Sequence, residues 1–471
     1  MEKQYDIVII GAGSAGLTAA GLAKQIGVQV ALLENDKIGG DCTWTGCIPS
    51  KTLLHTTRVI NQIQNAEKYG LPKVDAPLDY QSVMSHVRTV VETVYKEESP
   101  EKLRDAGIDV FFGDPRFLDP HTVRIGETDI KGRSFLLCTG AHPAIPPVAG
   151  LNDVNYLTYV NIWDLKELPR RLLILGAGPI GCEMAQSFCR LGAEVTIIEG
   201  GDRLLPRDEP EVSELIYRLY TSEKINLNFN NMVENIWEDS KGIHLIAGGK
   251  DFLGDNLLVA TGRRPNVENL GLDKAGIDYS VHGIKVDNFL STSQRHIYAA
   301  GDCTGGYQFT HYAGWQAAMA VRNILLPGRT KGVSDKVPWT TFTEPEVAHI
   351  GLSEEQANKK FGDDVMVCRW PMDRVDRSLA ENSAEGFMKL IHKRNGTILG
   401  VTIVAARAGE MIHEWIVALE KRMKVGDLSN IIHVYPTYST ASMQAAAEIR
   451  VSQLLEGTSG KVIRGLIHLM H

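Results

Sequence analysis

Apolar residues along this chain gather in short runs that glycine-rich turns and longer amphipathic stretches separate. Asp6-Ile7-Val8-Ile9-Ile10 has the unbroken apolar pattern of a strand buried on both faces. The loop Gly11-Ala12-Gly13-Ser14-Ala15-Gly16 follows, then a predicted helix over Leu17–Ile26 and a second strand over Val28–Leu33 that ends at Glu34. The same order returns later. Arg171–Leu175 reads as a strand, Gly176-Ala177-Gly178-Pro179-Ile180-Gly181 as a loop opening a helix, and Glu194–Ile198 as a strand ending at Glu199. Each half closes on a short strand and turn, Leu137-Cys138-Thr139-Gly140 and Val259-Ala260-Thr261-Gly262, and a helical stretch over residues 51–106 interrupts the first half. Strands alternating with helices in this way predict an α/β chain with parallel sheets.

The two loops share one chemistry. Gly11, Gly13 and Gly16 let the backbone approach a pyrophosphate lying at a helix N-terminus, and the acid ending the next strand, Glu34, takes a ribose diol. Gly176, Gly178, Gly181 and Glu199 repeat the set, so the chain is expected to hold two dinucleotides.

Composition narrows the class. The chain has 471 residues, enough for three or four domains, and is 44% hydrophobic and 23% charged, as ordinary globular chains are. A net charge of −8 supplies no basic face for nucleic acid or an anionic membrane, and no apolar run approaches the length of a membrane span. Seven cysteines scattered over so long a chain make no secreted disulfide framework, and no CxxC pair or histidine cluster suggests a metal site. The apolar N-terminal run leads into a glycine loop without a cleavage pattern, so a cytoplasmic location is expected.

The segment Gly39-Gly40-Asp41-Cys42-Thr43-Trp44-Thr45-Gly46-Cys47-Ile48-Pro49-Ser50-Lys51 carries the most specific signal. Together with the first fingerprint it resembles the flavin-dependent disulfide reductases, the family of dihydrolipoamide dehydrogenase, glutathione reductase and mercuric reductase. The resemblance implies that Cys42 and Cys47 form a redox disulfide. A regular helix would hold residues five apart at roughly 8–9 Å, too far for that bond, and Pro49 removes the donor that would bond Thr45, so the segment is expected to bend.

Over nearly the whole chain, the resemblance implies two Rossmann-like domains and an α+β dimerisation domain. Residues 1–150 bind FAD, 151–270 bind NAD(P), 271–335 return to the FAD domain and 336–471 form the contact of a homodimer. FAD is implied at Gly11, Gly13, Gly16, Glu34, Lys51, Gly113, Thr139, Gly140 and Asp302, the last within Thr292–Asp302. The nicotinamide cofactor is implied at Gly176, Gly178, Gly181, Glu199 and Gly262. Glu199 would repel a 2′-phosphate and Gly200-Gly201 follow it, which favours NADH. Arg203 and Arg207, further on, leave NADPH as the alternative. Cys47 is implied as the sulfur nearer the flavin, Cys42 as the outer thiol, and Lys51 with Glu183 as a pair beside the ring.

One segment departs from the family. Disulfide-reducing members end in a His-Pro-Thr motif with a glutamate that orients the catalytic histidine. Here Ile432-His433-Val434-Tyr435-Pro436-Thr437-Tyr438-Ser439-Thr440 puts Tyr435 in place of that histidine and Thr440 in place of that glutamate. His433 matches the first, non-catalytic histidine of the dihydrolipoamide dehydrogenase version. A phenol with pKa about 10 is a poor neutral-pH base beside an imidazole near 6.5. Mercuric reductases also lack the histidine but carry a C-terminal cysteine pair, whereas no cysteine follows Cys368 here. The expectation is a mercuric reductase-like NAD(P)H oxidoreductase whose acceptor is a metal ion, a quinone or a small oxidant. The alternatives are a conventional disulfide reductase and a non-catalytic scaffold that keeps FAD for stability. The last has little use for Cys42, Cys47, Lys51 and Glu183.

Overall fold

The computed structural model describes residues 4–74, 77–455 and 460. The described residues fall into two compact units, one within Met1–Thr57, Pro77–Gly200 and Asn228–Asp335, the other within Arg58–Ala76, Gly201–Leu227 and Lys336–His471.

In the first unit, β1 (Gln4–Ile10) lies at the centre of a seven-stranded sheet. It pairs in parallel with β2 (Val30–Glu34) and with the strand Thr128–Leu137, and Ile7 faces both Val30 and Ser134. The parallel strand Asp109–Phe112 extends the sheet beyond β2. On the other side Ile297–Ala299 adds in parallel to Thr128–Leu137, so a late segment completes a sheet begun at the N-terminus. Ile7–Ile10 are buried because both faces are covered, Ile7 and Ile9 by helices and Val8 and Ile10 by strand and loop residues such as Phe117, Val123, Leu272 and Ile277, the reason the run is apolar throughout. Helix α1 (Ser14–Ile26) sets Ala15, Ala19, Ala20 and Ala23 into the same core as Ala313, Ala317 and Ala320 of the helix Thr310–Leu325. A second parallel set repeats the plan, with Arg171–Leu175 between Glu194–Ile198 and Asn256–Val259. The antiparallel strands Val233–Asp239, Gly242–Ala247 and Lys250–Gly254 stand beside it. The interruption of the first half is helical, as expected, with α3 (Cys47–Gln64) followed by Tyr80–Tyr95 and Pro100–Asp105.

The second unit is α+β. Five antiparallel strands run in the order Trp339–Thr341, Glu346–Gly351, Ile398–Ala405, Phe387–Lys393, Val365–Pro371. The helices Ala408–Glu420 and Thr440–Leu455 pack on them. Trp415 is wholly buried between these elements, and its indole N–H donates to Ser442 Oγ at 3.0 Å.

Glycine at position 16 is a packing requirement, since a Cβ there would lie 1.8 Å from the Gly11 carbonyl oxygen. Gly21, on the same helix, has open space around it. Gly21→Ala should therefore stabilise the protein by about 0.5–1 kcal/mol through helix propensity. Gly16→Ala should destabilise it by roughly 1–3 kcal/mol through overpacking. Denaturant unfolding of both variants checks the pair, and equal effects would contradict the packing argument.

Candidate active site

A cavity of about 950 Å³ runs through the first unit from Glu34, past Gly13, to Cys42, Asp302 and Thr310. Its glycine loop is a cradle that side chains would fill. A Cβ on Gly11 would fall 2.3 Å from the Cys138 carbonyl oxygen, and the clash at Gly16 is closer still. Buried Glu34 accepts the Ala12 N–H at 2.6 Å through one oxygen and those of Asn35 and Asp36 at 2.9 Å through the other. Burial pushes its carboxyl above the ordinary range while these three bonds favour the ion. The oxygen bonded to Ala12 keeps a lone pair for a ribose hydroxyl. Size, cradle and donor set fit a dinucleotide such as FAD. Gly113 closes the end of the strand after β2, donating its N–H to the Glu34 carbonyl at 2.9 Å. Thr139 binds the Asn266 carbonyl at 2.7 Å, so Thr139-Gly140 is tied to the segment that follows Gly262.

The second fingerprint has the same internal geometry. Ala177 N–H donates to Glu199 at 2.7 Å, and acid and donating loop residue stand 22 positions apart in both halves. A Cβ on Gly181 would lie 2.1 Å from the Gly176 carbonyl oxygen, as Gly16 does against Gly11, while Gly178 precedes the helix Pro179–Leu191. That helix carries Glu183, which is buried.

The expected bend between the cysteines is present. Helix α2 (Gly40–Trp44) stops at Thr45-Gly46, and α3 starts afresh at Cys47. Both cysteines are thiols, hydrogen-bonded to one another. Cys47 Sγ lies 3.2 Å from Thr310 Oγ1. Its pKa is lowered to about 6, first by the Cys42 thiol bond, then by Thr310 and the Lys51 charge, against burial. Cys42 moves the other way, because it supplies the proton that stabilises its partner and is itself buried. The position of Cys47 at the start of α3 also favours its thiolate. Lys51 Nζ donates to both Glu183 oxygens, at 3.0 and 3.2 Å, so the two sequence-predicted partners do meet.

Asp302 is brought into the same cavity, where Arg263 Nη1 donates to it at 2.6 Å. Burial raises the Asp302 carboxyl and the guanidinium opposes that shift. Sequence reasoning missed Thr310, Arg263, Asp41 and Tyr159. Arg263 directly follows Gly262, and an uncompensated acid next to Cys42 was a readable signal for Asp41.

The second unit holds the remaining candidates. Tyr435 is 69% exposed and donates its hydroxyl to Asp376 at 2.7 Å, a bond that raises the phenol further. Thr440 is buried and bonds the Thr437 carbonyl at 2.6 Å. His433 Nε2 stands 2.6 Å from Glu414 Oε1. Among the described residues no cluster of three or more metal-ligating side chains forms, and no helix is long and apolar enough to cross a membrane.

In the reduced protein, iodoacetamide labelling of Cys47 should rise through a titration near pH 6, below which the sulfur is protonated and above which it is thiolate. Cys42 should titrate separately and higher. Lys51→Met removes a charge that favours the thiolate and should slow Cys47 labelling at pH 6 by ~5-fold, as a shift of about one unit requires. A single titration at the ordinary thiol value of about 8.5 for both sulfurs would contradict this geometry.

Comparison with known proteins gives the family. The pyridine nucleotide-disulphide oxidoreductase model matches residues 5–317, and the dimerisation-domain model of that family matches residues 337–446. A mercuric reductase of Staphylococcus aureus is 34% identical over 451 residues, covering 94% of this chain and 82% of the relative. A dihydrolipoyl dehydrogenase of Chlamydia muridarum is 34% identical over 454 residues, covering 95% and 97%. Among solved structures, the HOCl-induced flavoprotein disulfide reductase RclA of Escherichia coli matches with TM-score 0.86 and 28% identity, over 94% of this chain and 99% of its own. A Cu(II) complex of RclA matches with TM-score 0.85. The chain thus belongs to the pyridine nucleotide-disulphide oxidoreductase family, as an NAD(P)H-dependent flavoprotein oxidoreductase with a disulfide redox centre and the family's dimerisation domain.

Proposed function

We propose that this enzyme takes electrons from NADH, through FAD, to the Cys42–Cys47 pair, and passes them to a metal ion, quinone or small oxidant. The observation that carries the reading is Tyr435, an exposed phenol bonded to Asp376, where a disulfide reductase needs a neutral-pH base. The names of the mercuric reductase relative and of the Cu(II) complex of RclA support a metal among the acceptors.

Bound FAD would supply two-electron exchange between the nicotinamide and the nearer sulfur. The chain does the rest. Its two glycine loops seat the diphosphates, and Lys51, held by Glu183, sets positive charge where electron density accumulates. The lowered pKa of Cys47 keeps it ionised at neutral pH, and Cys42 faces the acceptor. Re-oxidation forms one S–S bond and sends two electrons outward. The one proton, from Cys42, leaves with them to a quinone, which takes its second proton from solvent, or goes to solvent when a metal ion is reduced. The enzyme works as a homodimer in which Tyr435 of one subunit meets Cys42 of the other.

A second reading has its own observation. The His433–Glu414 contact at 2.6 Å is an imidazole–carboxylate couple two residues from Tyr435, the partnership a conventional disulfide reductase uses. Wild-type protein should reduce lipoamide and glutathione disulfide slowly while NADH reduces the cysteines fast. Tyr435→His with Thr440→Glu should raise disulfide turnover by ~10-fold or more, and Tyr435→His alone by less. Rapid lipoamide turnover by the unmodified enzyme, lost in His433→Gln, would establish the second reading instead.

Glu199 decides the nucleotide. kcat/KM should be higher with NADH than with NADPH. Glu199→Ala should weaken NADH and relieve the exclusion of NADPH, since the ribose loses an acceptor and a 2′-phosphate loses a repelling charge. A wild-type preference for NADPH would overturn the assignment.

A further inference from the structure

The turn between the two cysteines is held from outside at two points. Arg263 is half-buried in the cavity wall, on a short strand (Arg263–Pro265) paired antiparallel with Ala141–Pro143. Its guanidinium forks between two carboxylates, Nη1 to Asp302 at 2.6 Å and Nη2 to Asp41, the residue immediately before Cys42. Tyr159 completes the cluster. Its hydroxyl donates to the same Asp41 oxygen at 3.0 Å and accepts the Arg263 Nε–H at 3.2 Å, while the guanidinium carbon sits 5.2 Å from its ring centroid. Four residues further on, Trp163 donates its indole N–H to the Thr45 carbonyl at 3.0 Å. The segment from Asp41 to Thr45 is thus gripped at its start through a side chain and at its end through the backbone. A planar fork suits this place, since its donors stand in a fixed geometry that engages both acids and the Tyr159 hydroxyl at once.

We propose that Arg263, Tyr159 and Trp163 are positioning residues that clamp the Asp41–Thr45 turn and thereby set how readily Cys42 and Cys47 close into a disulfide. The proposal rests on the reading of these cysteines as the redox pair. Closure breaks the Cys42 S–H bond, forms one S–S bond with the Cys47 thiolate and passes two electrons to the oxidant, in the test below oxidised dithiothreitol, which takes the Cys42 proton and a second proton from solvent. It needs the two sulfurs aligned, and a freely moving turn lowers the effective concentration of one thiol at the other. Lining the cavity beside Asp302, Arg263 also ties the turn to the carboxylate expected to contact FAD.

The test poises the FAD-containing protein anaerobically in mixtures of reduced and oxidised dithiothreitol. Free thiols are trapped by alkylation after an acid quench, and Cys42 and Cys47 are quantified by mass spectrometry. Asp41→Asn should move the equilibrium toward the dithiol by ~10-fold, and Tyr159→Phe, which leaves both ion pairs in place, by ~3-fold in the same direction. Asp41→Glu keeps the charge and should recover part of the loss. FAD stoichiometry should be unchanged in Tyr159→Phe, and that variant decides the matter if Asp41→Asn does not fold. An equilibrium within about twofold of wild type in every folded variant would overturn the clamp, as would loss of FAD as the only effect. If the wild-type pair never closes at any poise, the redox-pair reading falls and the clamp falls with it.

Discussion

Two backbone loops touch where only glycine lets them, and the site is laid out from that contact. Gly39 N–H donates to the Ala12 carbonyl at 2.9 Å, and a Cβ on Gly40 would come within 2.9 Å of the Gly13 Cα. Gly39 itself sits at φ +100°, and a Cβ there would meet the Thr43 side chain. The glycine loop proposed to receive a pyrophosphate is therefore also the anchor of helix α2, and α2 carries Cys42. A dinucleotide proposed to lie at Gly11–Gly16 and a thiol in the same cavity would be placed by one junction. Side chains at either glycine would separate them.

Electrostatics then divides the labour between the two sulfurs. Cys47 has the helix start, the Thr310 hydroxyl and the Lys51 charge on its side, while Cys42 gives up its thiol hydrogen to the bond between them. Glu183 opposes the thiolate at Cys47, yet it is also what holds Lys51 in place. The geometry accepts a small electrostatic loss for a fixed ammonium. The cluster around Arg263 works at the other end of the turn, where one guanidinium compensates two carboxylates that would otherwise repel one another in a half-buried wall.

Much of this was legible in the chain because the signals are local. The two strand–loop–helix–strand units were predicted within a few residues: Arg171–Leu175 and Glu194–Ile198 match, while β1 starts at Gln4 rather than Asp6 and β2 at Val30 rather than Val28. Helix α1 starts at Ser14, ahead of the expected Leu17, because Gly13 already sits in extended conformation at its N-cap and the loop's last residues join the first turn. The break between the cysteines followed from their spacing and Pro49. What escaped were contacts made across the fold. Thr310 reaches Cys47 over 263 positions, Arg263 reaches Asp41 over 222, and Tyr435 finds Asp376 over 59. No periodicity records such pairs. Tyr435 was singled out in the sequence as standing where the family resemblance implies a histidine, but its engagement with Asp376 was not readable.

The central claim is that Cys47 stands against the flavin as a thiolate once the pair is reduced. Anaerobic titration of the FAD-containing protein with NADH tests it most directly. A long-wavelength charge-transfer band should grow in during the titration, be absent from Cys47→Ser, and be present in Cys42→Ser before any reductant is added. Acidification through about pH 6 should remove the band, because protonation of Cys47 takes away its donor. A wild-type protein that binds FAD and accepts electrons from NADH without ever showing the band, or a Cys47→Ser variant that retains it, would contradict the account.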